Sequence, residues 1–300
     1  MGFSTQPNLW QCGPFALKHA LIMLGIFVDE KEISRIAGSN KWSGTDEIQL
    51  ARAARKFGCN LLVMREHDPD AARRKLVTYL RDGNPCLVCA YDWTHWVTVV
   101  KEERGRFIVL DSREDAVLAL FSWNKFKKVW VYRKRDEDND KIVDTVYDFH
   151  PVAPRFRVQT RARFSLERAK YLRRPENRNF ARHWDEYVED LLALCKPRTP
   201  LSSNVISLGE FLRRHAEMIV DQLSFWHGGV ERRRAERVLQ NMHFVADTYG
   251  LVIHEEDEKR AIAGITVILS LWAGGKYGVK PVYQKLTPPE APRQRRLLPH

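Results

Sequence analysis

Gln6-Pro7-Asn8-Leu9-Trp10-Gln11-Cys12-Gly13-Pro14-Phe15-Ala16-Leu17 sets a cysteine at the mouth of an apolar segment. Pro14 suits the first turn of a helix, where its missing N–H costs nothing, and Gly25 ends the apolar run, so the pattern predicts a helix over 14–24. At a helix start the unpaired backbone N–H groups and the helix dipole favour a thiolate over a thiol, as a nucleophile requires. Gly13 lets a substrate or another chain segment approach closely. Gln6, six residues upstream, can bring its side-chain amide beside the Cys12 N–H, so that two donors face one tetrahedral oxyanion.

A thiolate nucleophile also needs a base. The pattern predicts helices over 46–57, with Ser43 and Thr45 as candidate caps and Gly58 as the stop, and over 69–81, capped by Asp68. The runs 85–91, 95–101 and 106–110 are rich in Val, Ile and aromatics and read as neighbouring antiparallel strands, with a further strand over 128–132. His95 opens one strand and Asp111 ends the next. Folding that hairpin at about Arg104 brings the two within a rung or two, where a carboxylate fixes the imidazole tautomer and stabilises its cation. Helices followed by a sheet make this half an α+β domain.

At these residues the sequence resembles the papain-like cysteine peptidases that process bacteriocins at double-glycine leaders, together with their soluble relatives. The resemblance consists of Gln6, Cys12-Gly13-Pro14, Ser43-Gly44-Thr45 before a helix ending in Phe57-Gly58, His95-Trp96-Val97 and Val109-Leu110-Asp111, and it covers about residues 1–132. It implies a papain-like fold with Cys12 as nucleophile, His95 as general base and acid, Asp111 orienting His95, and Gln6 in the oxyanion hole. It needs no cofactor. The chain departs from the family at Gln11, where relatives often carry an acidic residue, and at Ser112, where proline is common. Many relatives are the N-terminal domain of a membrane-embedded exporter, whereas this sequence shows no membrane span and no phosphate-binding Gly-x-x-x-x-Gly-Lys-Ser/Thr loop, so no integral membrane association is expected.

The 300 residues carry a net charge of +11. The first 150 hold 23 basic against 21 acidic side chains and the last 150 hold 26 against 17, so the surplus sits in the second half. Residues 136–178 read as a charged, Arg-rich linker or surface arm between a peptidase domain (1–135) and a helical bundle (179–287), with a disordered basic tail at 288–300. Within the bundle the helical period predicts helices over 179–195, 207–226, 230–248 and 256–272. The stretch 155–178, with Phe156, Phe164 and Tyr171 interleaved, is the candidate surface for a polyanion or an acidic protein.

Five cysteines are too few and too scattered for a disulfide scaffold, which points to a reducing compartment. The first eight residues lack the charged and apolar regions of a signal peptide, so the expected location is cytoplasmic. Cys86 and Cys89 sit in an alternating strand and read as core. His183, Asp185, Glu186, Glu189, His215 and Glu217 lack the paired Glu-x-x-His pattern of a bundle metal site, so no metal is expected. The expected function is hydrolysis of a peptide or isopeptide bond through an acyl-enzyme, with amide transfer and deamidation as variants of the same first step. A non-catalytic papain-like binding module with an inert Cys12 is the alternative from another class.

Overall fold

α1 (Cys12–Met23) is buried along its whole length, including Lys18 and His19, so the surrounding chain has to enclose it. In the computed structural model, which describes residues 2–114, 117–135, 142–156, 161–195, 205–226 and 230–273, three sets of elements do so. On one side lie α2 (Glu30–Ala37) and α3 (Glu47–Lys56), which meet it through Ile33, Leu50 and Ala53. The cap of α3 is Asp46, in a reciprocal box with Gln49, and not the expected Ser43 or Thr45. A carboxylate that accepts the N3 amide while Gln49 accepts its own N–H satisfies two orphan donors at once.

An antiparallel sheet covers the second side. It is built from β1 (Cys59–Leu61), β2 (Met64–Glu66), β3 (Cys86–Ala90), β4 (His95–Glu103), β5 (Arg106–Leu110), β6 (Leu118–Ser122), β7 (Tyr132–Arg135) and β8 (Ile142–Pro154). The order is β1-β8-β3-β4-β5-β6, with β2 and β7 also paired to β8. Thr98 Oγ1 of β4 donates to the Ala16 carbonyl of α1 at 2.7 Å, which pins helix to sheet. The opposite sheet face packs on α4 (Pro69–Arg81) and α5 (Trp123–Trp130) through Leu76, Val97, Phe107, Phe126 and Trp130.

Two expectations fail here. Residues 128–132 were expected as a strand, but α5 runs to Trp130, because Ser122 caps it and Phe126 and Trp130 share one buried face at helical spacing. The break between first domain and linker at 135 also fails, since β8 lies inside the sheet between β1 and β3. Its alternation is hidden by Asp148, which is buried because Arg65 pairs with both of its oxygens at 2.7 and 2.6 Å, and by Pro151 and Pro154.

The third side of α1 faces the second half of the chain. After α6 (Leu166–Leu172) and α7 (Arg178–Arg182), α8 (Trp184–Cys195), α10 (Ala216–Trp226), α11 (Arg232–Tyr249) and α12 (Glu258–Ala273) pack on one another, with α9 (Leu208–Arg214) beside α11. A short pair, β9 (Val205–Ser207) and β10 (Val252–His254), was not expected. The predicted helices 179–195 and 207–226 are each broken, at His183 and His215. The expected tail at 288–300 lies outside the described residues.

Among the described residues the core of the helical half is continuous with the first half of the chain. Phe3, Ile22, Met23, Val100, Ile108, Leu110 and Leu118 share one apolar cluster with Trp184, Tyr187, Leu239 and Tyr249. Tyr249 Oη accepts from Phe3 N at 3.2 Å and from Trp184 Nε1. The Arg-rich stretch is pinned across this seam by backbone bonds from Arg155 N to Gly58 O, Ala162 N to Met23 O and Arg163 N to Thr248 O. Arg161 donates to Asp82 and Gly83 carbonyls, Arg168 to Thr248, and Arg173 to the Leu118 carbonyl.

His19 gives this packing a pH signature. Burial, with the charge of Lys18 beside it, pushes its pKa down to about 3, so the folded chain holds it neutral. An unfolded histidine protonates near 6.5. Stability is therefore intact above that pH and falls as pH drops toward the folded value, by about 3 kcal/mol between pH 7 and pH 4. Urea midpoints across that range should show this loss, and His19→Leu should flatten it; an unchanged slope in the variant would contradict the assignment.

Candidate functional site

The hairpin of β4 and β5 turns at Arg104 and Gly105, with φ of 53° and 72°, the left-handed pair of a tight two-residue turn. From there the ladder pairs Glu103 with Arg106 and Lys101 with Ile108, then slips by one residue at a bulge between Val99 and Lys101. Leu110 consequently faces Thr98, where an unbroken ladder would set it against Val99. Asp111 follows directly, one residue past the end of β5.

His95 Nε2 and Asp111 Oδ1 are 2.6 Å apart. Both residues are buried, His95 completely. Asp111 Oδ1 also accepts from Arg113 N at 3.0 Å. A carboxylate only accepts, so the imidazole proton sits on Nε2 and Nδ1 is the free basic nitrogen. Nδ1 is buried and makes no well-formed hydrogen bond, and Cys12 is the group that couples to the ring.

The couplings set the three ionisations. Burial alone would raise the Cys12 thiol, but the His95 ring, the Trp96 backbone N–H and the charges of His95 and Arg113 outweigh it and hold its pKa below the ordinary value. Burial would lower His95, and its contacts with Asp111 and Cys12 reverse this to a net rise. Burial would raise Asp111, and His95 with Arg113 pull it down. All three shifts favour a thiolate, an imidazolium and a carboxylate side by side. The other cysteines move the opposite way by burial: Cys59 up to about 11, Cys89 and Cys195 to about 12, and Cys86 well above its usual value. Cys86 and Cys89 lie buried on β3, as core residues do.

Local structure braces Cys12. The Ser43-Gly44-Thr45 turn packs on Gly13, where an added Cβ would come within 3.0 Å of Thr45, and Trp96 Nε1 donates to Thr45 O at 2.8 Å. Cys12 itself is buried, with 7% of its surface exposed. Gln6 sits at the same end of the molecule, its backbone N–H bonded to Ser112 O at 3.0 Å and its side chain anchored to Ser112 and Asn8. The structure thus bonds His95 to Asp111, couples Cys12 to the His95 ring, and ties Gln6 to the residue after Asp111.

Sequence reasoning did not single out Arg113, the Trp96 N–H or the turn before His95. In that turn Tyr91, Asp92 and Trp93 all have positive φ, 55°, 53° and 61°, a conformation that costs each non-glycine residue about 1 kcal/mol or more. Trp93 is held by stacking on Tyr132 at 3.8 Å and by Arg65 over its ring, and Tyr91 N donates to Val129 O at 2.6 Å. The Tyr91 ring lies 6.3 Å from that of His95. No glycine or asparagine marks these positions, so no sequence signal reveals them. Among the described residues no group of His, Cys, Asp and Glu side chains is arranged to hold a metal ion, and no helix is long and apolar enough to cross a membrane.

No family model matches the chain, and no curated protein is significantly similar to it. Among solved structures, a double glycine motif protease from an AMS/PCAT transporter, crystallised with the leader peptide, is similar at 15% identity and a TM-score of 0.37, over 49% of this chain and 89% of its own. The peptidase domain of Streptococcus ComA, a bifunctional ABC transporter of a quorum-sensing pathway, is similar at 16% identity and a TM-score of 0.37, over 50% and 96%. A C39-like peptidase from Bacillus anthracis is similar at 11% identity and a TM-score of 0.35, over 49% and 92%. Each match spans about half of this chain, and the chain's own layout is α+β, a helix-and-antiparallel-sheet unit followed by a helical region. Likeness at this level describes a chain path; the chemistry is read from the side chains.

Asp111→Asn tests that chemistry, since it leaves burial to act on His95 without its carboxylate. The His95 pKa, followed by ring-proton NMR, lies above 6.5 in the parent and should fall below it in the variant. An unshifted titration would mean that the 2.6 Å contact does not set the ring's charge.

Proposed function

We propose that this chain is a cysteine peptidase-like hydrolase acting on an amide bond of a peptide or protein. The observation that carries the reading is the 2.6 Å His95–Asp111 pair coupled to Cys12, which among the described residues brings a cysteine of depressed pKa to a histidine of raised pKa. The Cys12 thiolate attacks the carbonyl carbon, and the oxyanion that forms is met by the Cys12 N–H and an N–H of Gln6. His95, protonated at Nδ1, passes that proton to the leaving amine as the C–N bond breaks, leaving a thioester. Water then attacks the thioester while Nδ1 takes its proton, and the carboxylate product leaves with the thiolate restored. Asp111 holds the ring and its charge throughout.

Amide transfer and deamidation share the first half of this sequence and differ only in what leaves and what attacks. The alternative of an inert scaffold predicts a Cys12 raised by burial like Cys59 and Cys195, and the shift runs the other way. A reducing, cytoplasmic setting belongs to the proposal, in keeping with five cysteines that are all unpaired. The chain's peptide or protein substrate is proposed on chemistry alone.

The test uses a mixture of peptides with hydroxylamine present, which intercepts a thioester as a hydroxamate. Mass spectrometry should find new C-terminal hydroxamates with the parent chain and none with Cys12→Ala, at matched melting temperatures. Cleavage surviving in Cys12→Ala, or no product from the parent across peptide, isopeptide and glutamine amides, would defeat the proposal.

A further inference from the structure

Ser112 stands out because a buried serine, 2% exposed, follows Asp111 directly and spends its hydroxyl on Gln6. Ser112 Oγ and Gln6 Oε1 are 2.6 Å apart, and Gln6 Nε2 lies 2.6 Å from the Asn8 carbonyl. The Asn8 carbonyl accepts only, so the nitrogen of the amide must face it. The oxygen must then face Ser112, and the serine hydroxyl must be the donor. One of the two amide N–H bonds is used on Asn8 O, which leaves the second for another acceptor. The network continues from Asn8 Nδ2 to Gln11 Oε1 at 2.9 Å. It therefore runs from the residue after Asp111 to the residue before Cys12.

We infer that Ser112 is a positioning residue: its hydroxyl clamps the Gln6 carboxamide so that the free N–H is held toward the oxyanion formed at Cys12. This rests on the peptidase-like reading. Without the clamp the Asn8 carbonyl alone holds the amide, which is then less tightly fixed about its last bond, and its second N–H is less well aimed at a developing negative charge. The backbone bond from Gln6 N to Ser112 O survives removal of the side chain, so the loss is one of orientation and not of place.

Two small probes separate this role from the chemistry of the thiolate. Iodoacetamide alkylates sulfur by displacement with no oxyanion, whereas p-nitrophenyl acetate acylates it through a tetrahedral one. Ser112→Ala should lower the acylation rate about tenfold while leaving the alkylation rate and its pH profile unchanged. Ser112→Thr, which keeps the hydroxyl, should retain acylation within about twofold of the parent, and this arm stands even if the alanine variant folds poorly. In a Gln6→Ala background Ser112→Ala should cost nothing further, because it acts only through that amide. Unchanged acylation in Ser112→Ala, an equal fall in both rates, a threonine variant as slow as alanine, or additivity with Gln6→Ala would each overturn the clamp. A parent Cys12 inert to both probes would instead sink the peptidase-like reading, and the clamp with it.

Discussion

A helix without an exposed side cannot hold its place by amphipathicity; it has to be enclosed, and α1 is such a helix. Leu17, Leu21 and Leu24 face the packing of α2 and α3, while Ile22 and Met23 belong to the cluster shared with the helical half. Even its charged residue is internal, since Lys18 is satisfied by Glu30 and Ser4 at 2.8 Å each. Because a buried charge is tolerated only when paired and hydrogen-bonded, these contacts fix the helix in rotation as well as position. The orientation of Cys12 at its first residue is thereby set by the whole molecule, the C-terminal helices included.

Against this rigid helix the sheet brings two groups with opposite preferences. Burial disfavours the ionised form of each member of the Cys12–His95–Asp111 set taken alone, and the contacts among them reverse every shift. The local backbone is unfavourable as well, with three consecutive left-handed residues just before His95. Such costs are borne where the surroundings over-determine a geometry, and they cluster at sites with a chemical task. The Trp93–Tyr132 stack and the Arg65–Asp148 pair supply that constraint, and Asp148 comes from β8. A strand read as linker thus supports the turn that aims the histidine.

The sequence made the helix starts legible because caps and stops are local: Asp68 and Pro69, Gly58 and Gly25 all mark ends that the structure has nearby. The strands on either side of His95 were legible from β-branched residues. β8 was not, because its burial of Asp148 depends on Arg65, 83 residues away, and such pairing leaves no periodic trace. Cys12, His95 and Asp111 were readable from their residue types and order. The slip in register at Val100 between their strands was not, since it carries no glycine or proline. Arg113 and Ser112 act through contacts with partners remote in the chain, and their neighbours in sequence say nothing of them. The seam between the halves was likewise hidden, because Phe3 and Tyr249 are ordinary core residues until the fold sets them in contact.

If Cys12 is a thiolate sustained by His95, the ultraviolet absorbance of thiolate over a pH titration shows it directly. Burial places the other four cysteines above their ordinary range, so any signal rising below the usual thiol value of ~8.5 belongs to Cys12. One such step is expected, absent in Cys12→Ser and moved to higher pH in His95→Ala. A parent protein with no step below that value, or a step that His95→Ala leaves in place, would contradict it.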